Sequence, residues 1–408
     1  MRLKYGMITM HVKRQLELPH DHSVLLFGAR GVGKSSLLED EFTLDQNLYI
    51  DLLDPEIEAR FLEKPNDLIA LVDGMSDAAT HVIIDEIQKA PKLLDVVHLL
   101  IEKKKTKKIF ILTGSSARKL KLAGVNLLAG RAFVYHLYPL TYLELGSYFK
   151  LTDALSWGLL PKAVNLTTAT AKKKFLQSYA LTYLKVEVWA EQLVKKLDPF
   201  RRFLQVAAQA NSKIVNYANI ARDVGVDDKT VATYFEILED TLLGFTLESY
   251  RHSFRKRLRL APKFYFIDIG IARALSKTLS IPPTPSTHYY GELFEQFIVT
   301  ECVKLAGYNK SEYQFSYLRT ESDVEVDLIV ERPGEKLLLI EIKSKTCVEK
   351  NDLKSLINIA SDFEKCEAVC FSCDPHIKKI DDVMIYPWQE GIKKFFDEGE
   401  SALEFRLK

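Results

Sequence analysis

The chain has 408 residues, 47% of them hydrophobic and 27% charged, which excludes a disordered chain, a collagen-like fibre or a small disulfide scaffold. Lys and Arg number 56 against 55 Asp and Glu, a formal charge of +1, so a uniformly basic nucleic-acid binder is excluded and a local basic patch is not. The length predicts two to three domains.

In chain order, SVLLFG (23–28), LYIDL (48–52), HVIIDE (81–86), KIFILTG (108–114) and AFVYHL (132–137) read as buried strands. KSSLLEDEF, PNDLIALVDGM, PKLLDVVHLLIEKKK and SARKLKLAGVNLL between them are helix-like. Strands alternating with helices predict a parallel sheet covered on both faces. From about Pro139 to Pro262 the pattern is mostly helical, with a hairpin-like stretch near Leu247–Leu260. IPPTPST (281–287) is the best linker candidate. A long helix over Gly291–Gly307, strands VEVDLIV (324–330) and LLLIEIK (337–343), a helix near Asp352–Phe363 and strand EAVCFSC (367–373) then predict a small, separate α/β domain. The expected division is 1–140, 141–280 and 286–408.

No apolar run approaches the roughly 18 residues of a membrane span, and the charged N-terminus lacks a signal-peptide core. Five cysteines, none before Cys302, point to a reducing compartment. The expectation is a cytoplasmic protein with no membrane partner.

Gly28-Ala29-Arg30-Gly31-Val32-Gly33-Lys34-Ser35 fits GxxxxGK[ST] between a predicted strand and a predicted helix, and Ser36 continues it. Glycines let backbone N–H groups turn inward around phosphate oxygens, and the following helix points its positive end at the same anion. Lys34 would reach the β- and γ-phosphates, and Ser35 would offer its hydroxyl to Mg²⁺. Strand 82–84 ends in two carboxylates: Asp85 would hold Mg²⁺ through water, and Glu86 would orient and polarise the attacking water. A further strand ends in Thr113-Gly114-Ser115-Ser116, which would set Ser115 beside the γ-phosphate. Arg131, between a helix and the next strand, is a candidate arginine finger for a neighbouring subunit, or else a surface arginine.

GARGVGKSS, VIIDEIQKAP, ILTGSSARKL and LLAGRAFVYHLYPL together resemble bacterial and archaeal AAA-type P-loop ATPases of the AAA+ superfamily, in which one ATPase domain is fused to a C-terminal domain of uncertain role. PKFYFIDIGIARAL (262–275) and GELFEQFIVTE (291–301) resemble that C-terminal part. The resemblance spans nearly the whole chain and implies ATP binding and hydrolysis.

YANIARDVGVDDKTVATYFEILEDTLL (217–243) reads as a helix-turn-helix of winged-helix type, with a turn at Gly225, an N-cap at Asp227 and a seam of Ile220, Val224, Val226, Val231, Phe235 and Leu238. The basic stretch Arg251–Lys263 is a candidate wing for phosphates. Against DNA contact through the second helix stand Asp227, Asp228, Glu236, Glu239 and Asp240. The run Lys103–Lys108 reads as a solvated loop.

Asp327 in VEVDLIV, and Glu341 and Lys343 in LLLIEIK, flank a turn; if it is centred on Gly334, Asp327 and Glu341 fall opposite each other across a hairpin. Glu295 on the preceding helix can approach the same face, with Glu292 one turn earlier. This pattern resembles the restriction-endonuclease-like PD-(D/E)xK nucleases. The resemblance implies Asp327 and Glu341 as metal ligands, Lys343 as base or stabiliser and Glu295 as a supporting acid; Val326 stands where the family's Pro precedes the Asp. Cys366, Cys370 and Cys373 read as core or surface thiols rather than a metal site. The function this points to is an Mg²⁺-dependent ATPase coupled to cleavage or remodelling of DNA or RNA, assembling through Arg131. The alternative is a nucleotide-switched interaction protein with a silent nuclease-like domain.

Overall fold

The structure is a computed structural model and describes residues 2–4, 7–42, 46–102, 106–116, 128–183, 197–250, 261–309, 312–320 and 324–397. A hairpin of β1 (Arg2–Lys4) and β2 (Met7–Thr9) comes first. Strands β3 (Ser23–Phe27), β4 (Leu48–Asp51), β5 (His81–Asp85), β6 (Ile109–Gly114) and β7 (Ala132–His136) form a parallel sheet in the order β4-β5-β6-β3-β7. All five expected strands are present to within one residue at each end.

These strands are apolar runs because both faces of the sheet are covered. Leu25, Ile50, Val82, Ile84, Phe110 and Leu112 face α2 (Pro55–Glu63), α3 (Asp67–Asp73) and α4 (Leu93–Glu102). Val24, Leu26, Ile83 and Ile111, one residue out of step, face α1 (Lys34–Glu41) and the middle helices. α2 starts sharply because Asp54 caps it, accepting from the Glu56 N–H at 2.8 Å, with Pro55 at its first position. β7 is an edge strand, and Phe133 and Val134 stay exposed on it. Of the expected helix over 116–128, residues 117–127 lie outside the described residues, as do Lys103–Lys105 of the lysine run.

The middle is helical: α5 (Tyr142–Leu145), α6 (Leu151–Trp157), α7 (Pro161–Asn165), α8 (Ala169–Tyr183) and α9 (Leu197–Gln209) precede the helix-turn-helix of α10 (Tyr217–Val224) and α11 (Asp228–Asp240). Gly225 ends α10 at φ 78°, and Asp227 caps α11 by accepting from the Thr230 N–H at 2.7 Å. Ile220, Val224, Val231, Phe235 and Leu238 are buried in the expected seam, and Val226 is partly buried.

The wing differs from expectation. It pairs β8 (Gly244–Ser249) with β9 (Lys263–Phe266) antiparallel, so β8 takes in residues 247–249 of the stretch read as a hairpin and β9 begins beyond its end. Arg251–Leu260, most of the basic stretch, lies outside the described residues. β9 leads into α12 (Ile269–Leu275), the linker and α13 (His288–Asn309).

The last segment adds β10 (Gln314–Arg319), β11 (Glu325–Glu331), β12 (Leu337–Lys343), α14 (Lys354–Ala360), β13 (Cys366–Ser372), β14 (Lys378–Ile380), β15 (Val383–Pro387) and α15 (Trp388–Phe396). Its mixed sheet has eight strands in the order β14-β15-β13-β12-β11-β10-β8-β9. The sheet crosses the boundary drawn at 280–286: β8, from before the linker, lies parallel to β10, with Ser316 opposite Glu248. The molecule is thus α/β, with a five-stranded parallel sheet, a helical region and a mixed eight-stranded sheet. Among the described residues no helix is long and apolar enough to cross a membrane.

Candidate nucleotide site and acidic pocket

Residues 28–33 leave β3 at its carboxyl end, where open α/β sheets take ligands. Gly31 and Gly33 have φ of 77° and 102°, which a side chain would strain. A Cβ on Gly28 would stand 2.6 Å from the Leu137 carbonyl oxygen. Gly33 is the N-cap of α1, whose first turn carries no acid, so its positive end stays open to an anion. Lys34 is buried; its Nζ donates to the Gly28 carbonyl at 2.8 Å and lies 3.8 Å from Glu86 Oε1. Two other segments brace the loop. Tyr179 of α8 donates to the Arg30 carbonyl at 2.8 Å, and Arg14 donates to the Val32 carbonyl at 2.7 Å.

Asp85 ends β5 at the core of this site and accepts from three hydroxyls. These are Ser35 Oγ at 2.8 Å, Tyr49 at 3.1 Å and Thr113 Oγ1. Burial, with Asp85 adding, pushes the Tyr49 phenol above its usual range, so it stays a donor. Glu86 sits at φ 61°, ψ 48°, a left-handed conformation that costs a non-glycine residue about 1 kcal/mol or more and clusters at functional sites. Its N–H donates to Thr113 Oγ1 at 3.1 Å. Gln88, in the short 3₁₀ turn after it, donates to Glu86 Oε2 and to Ser115 Oγ. Lys34, Ser35, Asp85, Glu86 and Ser115 therefore converge from three strand ends. The hydroxyl already on Asp85 and the glycine cradle fit a magnesium–phosphate pair.

A cavity of about 400 Å³ adjoins the loop, lined by Met10, Val12, Val32, Leu37, Leu140 and Pro161 among others. Ser36 also lines it, while Ala29 is buried beneath the loop and Arg30 is exposed. Arg131 stands at the other end of the sheet. It precedes Ala132, which is paired with Ser23 at the start of β3, whereas the loop leaves from Phe27. It donates to Glu102 at 2.5 Å and to the Ala129 carbonyl at 2.8 Å.

Arg14 was not legible as functional, yet it links this site to the last segment. Besides Val32 it donates to Glu144 at 2.9 Å, to the Tyr138 carbonyl at 2.7 Å and to the Tyr308 hydroxyl at 3.2 Å. Tyr308 closes α13, and its oxygen also accepts from the Tyr138 N–H at 3.0 Å.

In the second sheet the hairpin is centred on Gly334, at φ 78°. Leu328 pairs with Ile340, so the register carried one step further sets Asp327 opposite Glu341. Asp327 Oδ2 accepts from the Ile342 N–H at 2.7 Å, and Lys343 Nζ donates to Glu341 Oε1 at 2.5 Å. Burial pushes Asp327 well above the usual carboxylate range, with Glu341 and Glu295 adding; burial also raises Glu341, against the pull of Lys343. Glu341 Oε2 is a buried acceptor without a hydrogen-bond partner.

Two residues of this pocket come from β9, before the linker. Lys263, 4% exposed, pairs with Glu295 at 3.2 Å and with Glu325, and Tyr265 donates to Glu295 at 2.7 Å. Burial alone would lower the Lys263 ammonium, but Glu295, Asp327 and Glu325 together hold it above its usual value. Their signal in the sequence is the alternation of KFYF, which sets Lys263 and Tyr265 on one face. Glu292 is occupied by Lys213 at 3.0 Å. Among the described residues no three His, Cys, Asp or Glu side chains converge so as to hold a metal ion, and the five cysteines are unpaired.

Comparison with known proteins agrees with the geometry of the first sheet. Residues 148–281 match a domain of unknown function (DUF8612), and residues 290–390 another (DUF4143). An uncharacterized protein of Mycobacterium tuberculosis is 28% identical over 316 residues, 76% of this chain and 68% of its own length. Uncharacterized proteins of Methanocaldococcus jannaschii (23% over 401 residues, 87% and 82%) and Haemophilus influenzae (21% over 373 residues, 85% and 88%) are also similar. Residues 20–146 match the AAA domain model, and with the loop, the strand order and the acid pair in place this segment is an AAA domain of the P-loop ATPase kind.

Proposed function

We propose that the chain is an Mg²⁺-dependent ATP hydrolase whose nucleotide state is relayed to its last domain. The observation that carries the reading is the convergence of Lys34, Ser35, Asp85 and Glu86 on one glycine cradle. The N–H groups of residues 29–35 and the start of α1 would hold the phosphates, and the adjoining cavity would take the base. Ser35 and Asp85 are the residues that would hold Mg²⁺, which supplies neutralisation of the charge on the phosphate oxygens. Glu86 would accept a proton from the attacking water as its oxygen bonds to the γ-phosphorus and the bond to ADP breaks. Ser115 would contact the terminal phosphate.

For the last domain we infer a binding or relay role rather than cleavage. Support comes from the charge balance of its pocket. Lys263 pairs with Glu295 and Glu325 and Lys343 with Glu341, so two ammonium groups already hold carboxylates that a metal ion would need, while Asp327 and Glu341 Oε2 stay outside those pairs. The acidic exposed residues Asp227, Asp228 and Glu236 of the helix-turn-helix disfavour DNA on that face. Arg14 and Tyr308 give a direct contact from the loop to α13, on which Glu295 lies.

Lys34→Ala is expected to abolish ATP hydrolysis, followed as phosphate release with Mg²⁺; normal turnover would sink the site assignment. Incubation of single- and double-stranded DNA and RNA with Mg²⁺ or Mn²⁺, with and without ATP, is expected to give no cleavage. Cleavage lost in both Asp327→Ala and Lys343→Ala would instead establish the nuclease reading.

A further inference from the structure

Gln88 follows the acid pair by two residues and carries none of the roles assigned above. Its side chain is 2% exposed. The left-handed turn at Glu86 and the 3₁₀ turn after it fold Gln88 back beneath the carboxylate. There one nitrogen, Nε2, donates both to Glu86 Oε2 and to Ser115 Oγ, the latter at 3.1 Å. The carboxylate, which can only accept, fixes which end of the amide is nitrogen. Its oxygen is a buried acceptor without a hydrogen-bond partner, turned toward Gly114. A Cβ at residue 114 would stand 2.9 Å from that oxygen, so the space for the amide depends on glycine there. A buried, half-satisfied amide is costly, so its retention asks for a return other than stability.

We propose that Gln88 is the positioning residue of the ATPase site: its amide ties the Glu86 carboxylate to the Ser115 hydroxyl, so that water activation and contact with the terminal phosphate share one geometry. The inference rests on the hydrolase reading above. The amide is suited to the task because it donates two N–H bonds without adding charge. A lysine would neutralise the carboxylate, and a glutamate would repel it. With its oxygen accepting from Gln88, the Ser115 hydroxyl directs its proton to another acceptor. Gln88 itself need not touch the nucleotide, so its loss should slow turnover more than it weakens binding.

The test uses the full-length chain. Gln88→Met keeps the length and apolar bulk of the side chain and removes both donors; Gln88→Glu keeps the shape and reverses the polarity. Both are expected to lower kcat for ATP about tenfold or more while KM and the affinity for a fluorescent ATP analogue move by less than about threefold. Gly114→Ala, which displaces the amide from the other side, is expected to lower kcat in the same sense. In a Glu86→Ala background, Gln88→Met is expected to add a smaller further loss to the residual single-turnover rate, because only its bond to Ser115 is then left to lose. Three results would overturn the inference: wild-type kcat in Gln88→Met, a loss confined to KM, or an undiminished further loss without Glu86. Its failure is distinct from that of the hydrolase reading, which would show first as no turnover by the wild-type chain or as normal turnover by Lys34→Ala.

Discussion

Gly158 shows how narrowly some single positions are specified. It sits at φ 70°, ψ −169°, a region open essentially to glycine alone, and a Cβ there would stand 2.1 Å from Asp268 Oδ1. Asp268 is buried, which raises its carboxyl, and it is retained because it accepts from the N–H groups of Leu159 and Ile271 at 2.6 and 3.1 Å. Gly158→Ala is therefore expected to destabilise the fold by about 2–4 kcal/mol, from backbone strain together with a disrupted buried carboxylate. A fall in the denaturant midpoint would register it; an unchanged midpoint would mean that α6 and α12 can separate without cost. At this scale the phosphate loop and acid pair were legible because loop, strand and helix are contiguous in the chain, so the spacing itself encodes the geometry. Arg14, Lys263 and Tyr265 were not. Each meets its partners only through tertiary packing, as Arg14 does with Tyr308, and no local pattern records such a meeting.

The elements divide in the same way. The strands of the first sheet, with β11, β12 and β13, are rich in apolar residues and were readable to within a residue or so. β10 and β15 were missed: QFSYLR is polar at half its positions, and VMIYP is an apolar run too short for periodicity to tell a strand from a helix segment, so their pairing partners supply the order. The wing was misplaced because its second strand belongs to PKFYFIDIG, beyond the basic stretch. The helix-turn-helix was legible from Gly225 and Asp227, and its acidic side has a measurable consequence. Glu239 accepts from the Thr246 N–H at 2.6 Å, yet burial, with Asp240 and Glu236 adding, holds its carboxyl above the ordinary carboxylate range. A raised carboxyl in the folded state means the native protein binds that proton more tightly than the unfolded chain. Its contribution is therefore full below about pH 4.5 and declines as pH rises through the folded value. Glu248, raised by burial and by Glu239, follows the same sign. Glu239→Gln keeps an acceptor for Thr246 and removes the charge. Thermal melts should show wild-type protein losing stability relative to this variant as pH rises above the ordinary glutamate range; parallel curves would remove Glu239 as the cause.

For the molecule as a whole, the position of Arg131 separates two outcomes. It stands at the end of the sheet opposite its own phosphate loop, beside the exposed Phe133 and Val134 of edge strand β7. If it serves hydrolysis at all, it serves another subunit's. Arg131→Ala is expected to lower turnover only at concentrations where light scattering shows assembly. An equal loss in dilute, demonstrably monomeric protein would argue against action in trans. Continuity on the same scale bears on how the chain can be divided. β8 and β9 lie before the Pro-rich linker and β10 after it, yet they are neighbours in one sheet, and Lys263 is held between Glu295 and Glu325 from beyond that linker. A protease cut within 281–287 would therefore leave two fragments still zipped edge to edge. A polypeptide beginning at Thr287 would bare the flank of β10 and strand those glutamates without their counter-charge. The covalent join and the folding unit lie in different places, and a split version of this protein should be made at an exposed loop within either sheet's own territory, not at the stretch that looks most like a hinge.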